Sequence, residues 1–439
     1  MQSSNSVSRK RRPGTWQKIR KAFNDIHLWL GLSSGIVVIV VCLTGTIYTY
    51  NTELREMAAP HLHRVTVPDG ASRLPADSLA KLVADLSGGR VTAASIPADA
   101  GRSVEYTVRT DGDNSRFGTT YFMNPYTGAL LGTSKEETGM ATFMGYMFSL
   151  HRWLLLDKIE KPIFGDLPNR TLGSYITGAA TILFTLGVIT GLIIWFPQKL
   201  RSWKQGLKIK WHGGWKRLNH DLHNTLAFYS LIFLFLMGIT GPQWSFPWYR
   251  EGLQKTLGTY KEVVGGRGGH GNGGHGGGRG QARAGDRQGA TAGVDKGETA
   301  PPVLMPLETY VAAAEEALPY RGDYRITFPS PGDDVLSISK NKVGFFAPAA
   351  GDQVKVDLAT ASVNEVSRFS DKPFNERIAG SIKALHIGNV YGQFTKLLYF
   401  LACLIATSLP ITGTLIWLNK MKKRPAKRTR PKSSVAQEL

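Results

Sequence analysis

Four histidines fall into a repeated frame beside the ends of four long apolar runs. Asp25-Ile26-His27 opens the first run and Asp221-Leu222-His223 the third, and each of these His precedes a Thr-Gly pair by 17 positions, Thr44-Gly45 and Thr240-Gly241. His151 precedes the second run and His386 the fourth, each in a Leu-His pair. Those two runs close alike, through Ile189-Thr190-Gly191 to Trp195 and through Ile411-Thr412-Gly413 to Trp417. Neutral imidazole is a common transition-metal ligand, and two imidazoles on facing helices with a planar slot between them suit a haem iron.

If the two halves are related by a pseudo-two-fold axis along the membrane normal, equivalent residues face each other at equal depth. His27 then pairs with His223 and His151 with His386, giving two bis-His sites for two b-type haems. Gly31 and Gly35, at i+4 and i+8 from His27, lie on its helical face and leave room for a macrocycle, with Gly388 and Gly392 as counterparts near His386. An isolated interfacial His is commonly a polar anchor, but anchoring does not require four at repeat-equivalent positions. His212 and His220 are rivals as ligands. His220, three residues before His223, is the closer one, and the DxH frame favours His223. His61 and His63 read as loop residues or substrate-site lining. Zinc needs three or four converging ligands; the framed His are divided between two faces, and 17 helical residues already span ~25 Å.

The elements that must hold these side chains are the runs 28–50, 172–196, 224–246 and 395–418, each long and apolar enough to cross a bilayer. The first has too long a basic preamble and too long an apolar stretch for a cleaved signal peptide. The net charge of +20 is a matter of topology: residues 1–27, 197–220 and 419–432 carry 7, 7 and 8 Lys/Arg and one acid, Asp25. Four spans put these segments on one side, and the positive-inside rule makes it the cytoplasm. Lipid headgroups therefore account for the charge, and nucleic acid is not implied. The two cysteines, Cys42 and Cys403, lie inside apolar runs and read as small buried hydrophobes.

The fold class is thus an α-helical membrane protein, a four-helix bundle with two extracytoplasmic α+β modules by internal duplication. In order, the chain gives a basic N-terminus (1–27), the first span, a first module (51–150), the second span, a basic loop (197–222), the third span, a second module (247–394), the fourth span and a basic tail (419–439). Module one reads as a helix over Leu74–Val83, strands Ser103–Thr110 and Gly118–Met123, the turn Asn124-Pro125-Tyr126-Thr127-Gly128, and Ala129–Gly132. Module two reads as a helix Leu307–Leu318, strands Tyr324–Phe328, Val335–Ser339, Gly344–Pro348 and Val354–Asp357, and the turn Leu358-Ala359-Thr360-Ala361. Residues 264–300 are Gly-rich and polar and cannot bury a core, so disorder is expected there. Weak metal capture by His270 and His275 is a secondary reading of that linker.

Several stretches together resemble the PepSY-associated transmembrane family, including its FoxB-type and PiuB-type iron-regulated inner-membrane members. They are His27-Leu28-Trp29-Leu30-Gly31-Leu32, Leu150-His151-Arg152-Trp153-Leu154, Asp221-Leu222-His223, Leu385-His386-Ile387-Gly388 and the two hairpin turns. The second turn has Ala361 where the family often has Gly. The resemblance covers about residues 20–420 and implies a bacterial inner-membrane protein with a role in iron acquisition, with FoxB-like members acting as dihaem ferric-siderophore reductases.

The resulting expectation is an oxidoreductase that carries electrons from a cytoplasmic or membrane donor, past the His27/His223 haem and the His151/His386 haem, to a periplasmic ferric siderophore. Reduction releases iron because hard oxygen chelators suit Fe(III) better than Fe(II). Arg152, Trp153, Lys383 and Tyr391 are candidates to hold an anionic chelate, or else interfacial anchors. No flavin or nicotinamide motif is evident, so the donor is a quinol, a reduced flavin or a reductase protein. Two other classes remain: a membrane-anchored PepSY module that binds ligands or regulates peptidases without redox activity, and a siderophore transporter.

Overall fold

The computed structural model describes residues 14–110, 118–196, 200–261, 305–329 and 333–422. The Gly-rich linker with His270 and His275 lies outside them, as do residues 1–13 and 423–439. Among the described residues four helices are long and apolar enough to cross a membrane, making this a multi-pass membrane protein with four candidate spans. They are α1 (Thr15–Tyr48), α6 (Asn169–Trp195), α7 (Trp215–Thr240) and α11 (Gly392–Met421). Shorter helices α2 (Asn51–Ala58), α3 (Pro60–His63), α4 (Ala76–Ser87), α5 (Gly139–Trp153), α8 (Pro247–Thr256), α9 (Leu307–Ala317) and α10 (Phe374–Ile387) accompany them. Helix α1 begins well before the apolar run does, because Lys and Arg are good helix formers and hydropathy marks a membrane rather than a helix end.

The chain divides into two compact units, and the division falls inside the four long helices. The first unit comprises residues 1–43, 179–239 and 402–439. Its centre is Leu234 with Ala402 and Ala406, surrounded by Cys42, Phe184, Val188, Phe233, Met237 and Leu409. Small residues bring these helices close, as expected where lipid supplies no hydrophobic drive to associate. A Cβ at Gly35 would meet the Pro410 side chain at 3.3 Å. Cys403 donates to the Cys42 carbonyl at 3.2 Å, and neither cysteine is in a disulfide. Ile36 and Ile232 face outward, 80% and 67% exposed, as lipid-facing side chains should be.

The second unit, residues 44–178 and 240–401, contains an eight-stranded antiparallel sheet. Its strands are β1 (Arg90–Ile96), β2 (Val104–Arg109), β3 (Thr119–Met123), β4 (Leu130–Thr133), β5 (Gly322–Thr327), β6 (Val335–Lys342), β7 (Asp352–Asp357) and β8 (Val363–Ser367). The order β4-β3-β2-β1-β5-β6-β7-β8 joins two four-stranded meanders edge to edge, with Ala93 opposite Thr327 and Ile96 opposite Tyr324. The two modules read from the sequence therefore share one sheet and one core, which runs from Val83, Tyr106 and Met123 to Tyr310, Ile338 and Val356. Pairing β1 with β5 removes two exposed edges that would otherwise invite association. Helices α4 and α9 cap each other: Leu307 N–H donates to Asp77 Oδ2 at 2.6 Å, and Ala76 N–H to Glu308 Oε1 at 2.7 Å.

One local expectation needs correction, and two strands need adding. Gly344–Pro348 is not a strand but the connection after β6, turned by an Ala347 N–H to Gly344 carbonyl bond of 3.1 Å. Strands β1 and β8 were not foreseen; β8 is the exposed edge of the sheet and lacks an apolar alternation. His151 and His386 precede the second and fourth spanning helices and lie in the last turns of the separate helices α5 and α10, where Leu154 and Gly388 adopt left-handed conformations and end the helix.

Both hairpin turns form. Asn124 Oδ1 accepts from Tyr126 N–H (2.9 Å) and Thr127 N–H (3.3 Å), and Asp357 Oδ1 accepts from Ala359 N–H (3.0 Å) and Thr360 N–H (2.9 Å). Gly128 has φ +71° and Ala361 φ +55°. A left-handed alanine is strained by about 1 kcal/mol. Ala361→Gly is therefore expected to stabilise the fold modestly, by at most about 1 kcal/mol after glycine's extra unfolded-state entropy, and so to raise the thermal midpoint. Unchanged or lower stability in thermal unfolding would contradict it.

Candidate functional site

The four framed histidines form two pairs, one in each unit. In the first unit, His27 on α1 meets His223 on α7 with ring centroids 6.3 Å apart and planes at 81°. In the second, His151 on α5 meets His386 on α10, also at 6.3 Å, with planes at 63°. His220 does not point into the first pair: it is exposed, with Asn224 Nδ2 within 3.1 Å of its ring and Asp221 at 3.6 Å. The Asp of each DxH frame does not touch its histidine ring in either half. Asp25 pairs with Lys21 at 2.7 Å, and buried Asp221 holds Arg217 at 2.9 Å and accepts from Lys210 N–H at 3.3 Å.

Every one of the four rings places Nδ1 beside a threonine of a Thr-Gly pair. His27 Nδ1 lies 3.1 Å from Thr190 Oγ1 and 3.0 Å from the Gly187 carbonyl. His223 Nδ1 is 2.9 Å from Thr412 Oγ1, His386 Nδ1 3.0 Å from Thr240 Oγ1, and His151 Nδ1 3.4 Å from Thr44 Oγ1. A hydroxyl has one proton. Thr190 directs its own to the Leu186 carbonyl (2.9 Å) and Thr412 to the Ser408 carbonyl (3.0 Å), so each hydroxyl oxygen is left to accept. His27 and His223 therefore donate from Nδ1–H, and each neutral ring keeps its lone pair on Nε2. An outer hydrogen bond that fixes the tautomer and aims the ring is the usual companion of a metal-bound imidazole.

The glycines after two of these threonines serve the same rings. A Cβ at Gly191 would stand 3.2 Å from His27 Cε1, and one at Gly413 3.3 Å from His223 Cε1. Thr-Gly is thus one device: the threonine holds Nδ1 and the glycine admits the imidazole edge. The glycines singled out for macrocycle clearance behave differently. Gly31 has open space where a side chain would be, while Gly35 is occupied by the approach of Pro410. Gly388 and Gly392 serve tight backbone instead, with φ +80° and +53° and a Cβ meeting Tyr399 at 2.5 Å and the Phe345 carbonyl at 2.7 Å.

The donor set limits what these pairs can hold. Two metal–imidazole bonds of about 2 Å each, plus about 1 Å from each nitrogen to its ring centre, add to about 6 Å. The observed 6.3 Å in both pairs matches that spacing. Among the described residues no group of three or more His, Cys, Asp or Glu converges, so neither pair completes a protein-only zinc site. A metal that brings its own equatorial ligands, as haem iron does, needs only the two imidazoles each pair presents.

Around the second pair, the Trp244 ring packs on His386 at 4.8 Å. Arg152 and Trp153, read from the sequence as grips for an outside ligand or as anchors, are instead buried, 9% and 8% exposed. Burial, with the Arg170 charge nearby, pulls Arg152 down to about 10. Burial also lowers Lys383, while Tyr391 is exposed at 55%. His63 stacks edge-on to Phe122 at 4.9 Å, and His61 pairs with Glu136 at 3.0 Å; neither joins the His151/His386 pair. The four threonines, Trp244 and Arg170 are the residues of these surroundings whose roles the sequence reading missed. The repeated Thr-Gly was the available signal for the first of them.

A family model for the PepSY-associated TM region matches residues 25–420. No curated protein matches the chain.

Proposed function

The chain belongs to the PepSY-associated TM region family, and we propose that it is a dihaem electron-transfer protein of the bacterial inner membrane that reduces periplasmic ferric siderophores. The observation that carries this reading is the equal 6.3 Å spacing of two His pairs whose Nδ1 atoms are all held by threonine. Bound at each pair, haem would supply reversible one-electron chemistry. His27 and His223 would hold one group and His151 and His386 the other, the threonines setting tautomer and ring orientation. The Arg/Lys excess of residues 1–27, 197–220 and 419–432 puts both termini in the cytoplasm on this reading. The His151/His386 pair and the sheet then face the periplasm. The sheet's two halves, each a helix followed by four strands with an Asn or Asp turn, are two PepSY-like modules arising by duplication. The substrate is Fe(III) in an oxygen-donor chelate, released on reduction because Fe(II) binds such ligands less tightly. The donor is a quinol, a reduced flavin or a reductase protein.

A reduced-minus-oxidised visible spectrum of the detergent-purified protein tests the reading. Sharp b-type bands at two haems per chain are expected. A colourless protein from haem-replete cells would reject it in favour of an anchored binding module. The threonines give a graded test: Thr412→Val keeps the shape but removes the acceptor for His223 Nδ1–H, and outer-shell losses of this kind typically cost 10–100-fold in metal affinity. Haem retention at one of two sites is expected to fall at least about tenfold, read as haem per chain after competition with apomyoglobin. Unaltered retention would remove Thr412 from the site.

A further inference from the structure

Two guanidinium groups, Arg152 next to His151 in the chain and Arg170 over the neighbouring Trp153, have no anionic partner among the described residues. Arg152 is 9% exposed, and its Nε has no hydrogen-bond partner among the described residues. One Nη donates to the Trp244 carbonyl at 3.1 Å, and the Trp244 ring rests on His386. Arg170, from the first turn of α6, has its guanidinium carbon over the Trp153 ring, 4.1 Å from the centroid, and also has a buried Nε with no hydrogen-bond partner among the described residues. The Arg170 charge acts against that of Arg152, and neither is a member of an ion pair among the described residues. A buried cation without a counter-ion is costly. The arrangement that relieves it is a ligand anion, and the Nε edge of a guanidinium is one of the edges that take a carboxylate side-on.

We infer that Arg152 and Arg170 form a carboxylate-binding site beside the His151/His386 pair. The inference rests on the reading of that pair as a cofactor site insofar as the carboxylates are the side-chain propionates of a bound haem. A free carboxylic acid has the same chemistry and is the other source. Arg152 is thereby taken away from the outer grip on a chelate that its sequence position suggested. Trp153 and Trp244 become its supports: one stacks under Arg170, and the other links Arg152 to His386.

The test uses the full chain in detergent, as wild type and as Arg152→Gln and Arg170→Gln. The half-buried Arg170 provides a variant that folds if the first does not. Charge-assisted pairs are worth enough that binding at one site should weaken about tenfold or more. For propionate, protein reconstituted with haem dimethyl ester should bind one of its two groups at least about tenfold more weakly than with haem, a difference abolished in both variants. The midpoint of that one haem should also fall in the variants while the other stays fixed, because a positive charge near the iron has gone. If the ester binds as well as haem and the midpoints stay put, citrate titrated by calorimetry decides: Arg-dependent binding assigns the site to a free acid, and no Arg-dependent binding overturns it. If the wild type binds no haem, the haem reading fails on its own, and the same citrate titration still supports or overturns the carboxylate site.

Discussion

Replacing His27 or His223 by alanine is expected to remove one of the two haems per chain and to abolish ferric-siderophore reduction by the membrane-embedded protein. Both rings belong to one site, so the His27→Ala/His223→Ala double variant should lose no more haem than either single one. His27→Ala combined with His151→Ala should lose both haems, because those residues belong to different pairs. Non-additivity within a pair and additivity between pairs is the signature of two independent bis-His sites. His220→Ala should keep both haems, since that ring is exposed and turned toward Asn224. The measurement is haem per chain, with the residual spectrum showing which group remains. Full haem content in His223→Ala together with loss in His220→Ala would reverse the assignment of that pair. Full content in every variant would end the bis-His reading.

The pairing was legible because it is written in spacing. Two DxH frames 196 residues apart, with Thr-Gly following at the same interval, can be superimposed without coordinates. What the threonines do was not legible: the bonds from His27 to Thr190 and from His223 to Thr412 cross between helices more than 160 residues apart in sequence. Periodicity reports which face of a helix a residue occupies but not which helix lies opposite. The same limit hid the joining of β1 to β5. Each meander has its own alternation and turns, while an edge-to-edge pairing adds no local pattern. Gly388 and Gly392 were misassigned for the converse reason. A glycine near a histidine looks like clearance in sequence, and only the positive φ of both residues shows that backbone geometry demands it. Arg152 reads in sequence as a grip on an anionic chelate or an interfacial anchor, and its burial, 9% exposed, is a tertiary fact that no local pattern reports.

Glu315→Ala is expected to destabilise the sheet by about 3 kcal/mol, far more than loss of a half-exposed carboxylate would ordinarily cost, because it strands Lys340. Strand alternation on β6 turns Leu336, Ile338 and Lys340 inward, and Lys340 is 0% exposed. Its Nζ donates to Glu315 Oε2 at 2.6 Å and to the Leu318 carbonyl at 2.7 Å, and lies 4.8 and 4.9 Å from the Tyr320 and Tyr324 rings. An ammonium has three protons to place, and this set of a carboxylate, a carbonyl and two ring faces accommodates them. Removing the carboxylate leaves a buried charge with one carbonyl and weak cation–π attraction. Lys340→Met keeps most of the volume and removes the charge, so its cost should stay within about 1.5 kcal/mol. In the Lys340→Met background, Glu315→Ala should then cost only the exposed hydrogen bond that the Tyr324 hydroxyl donates to Glu315, about 1 kcal/mol or less. Thermal unfolding of the four proteins checks this as a double-mutant cycle. Equal effects of Glu315→Ala in both backgrounds would mean that the ammonium is satisfied without its partner, and that the two tyrosines and the carbonyl hold Lys340 by themselves.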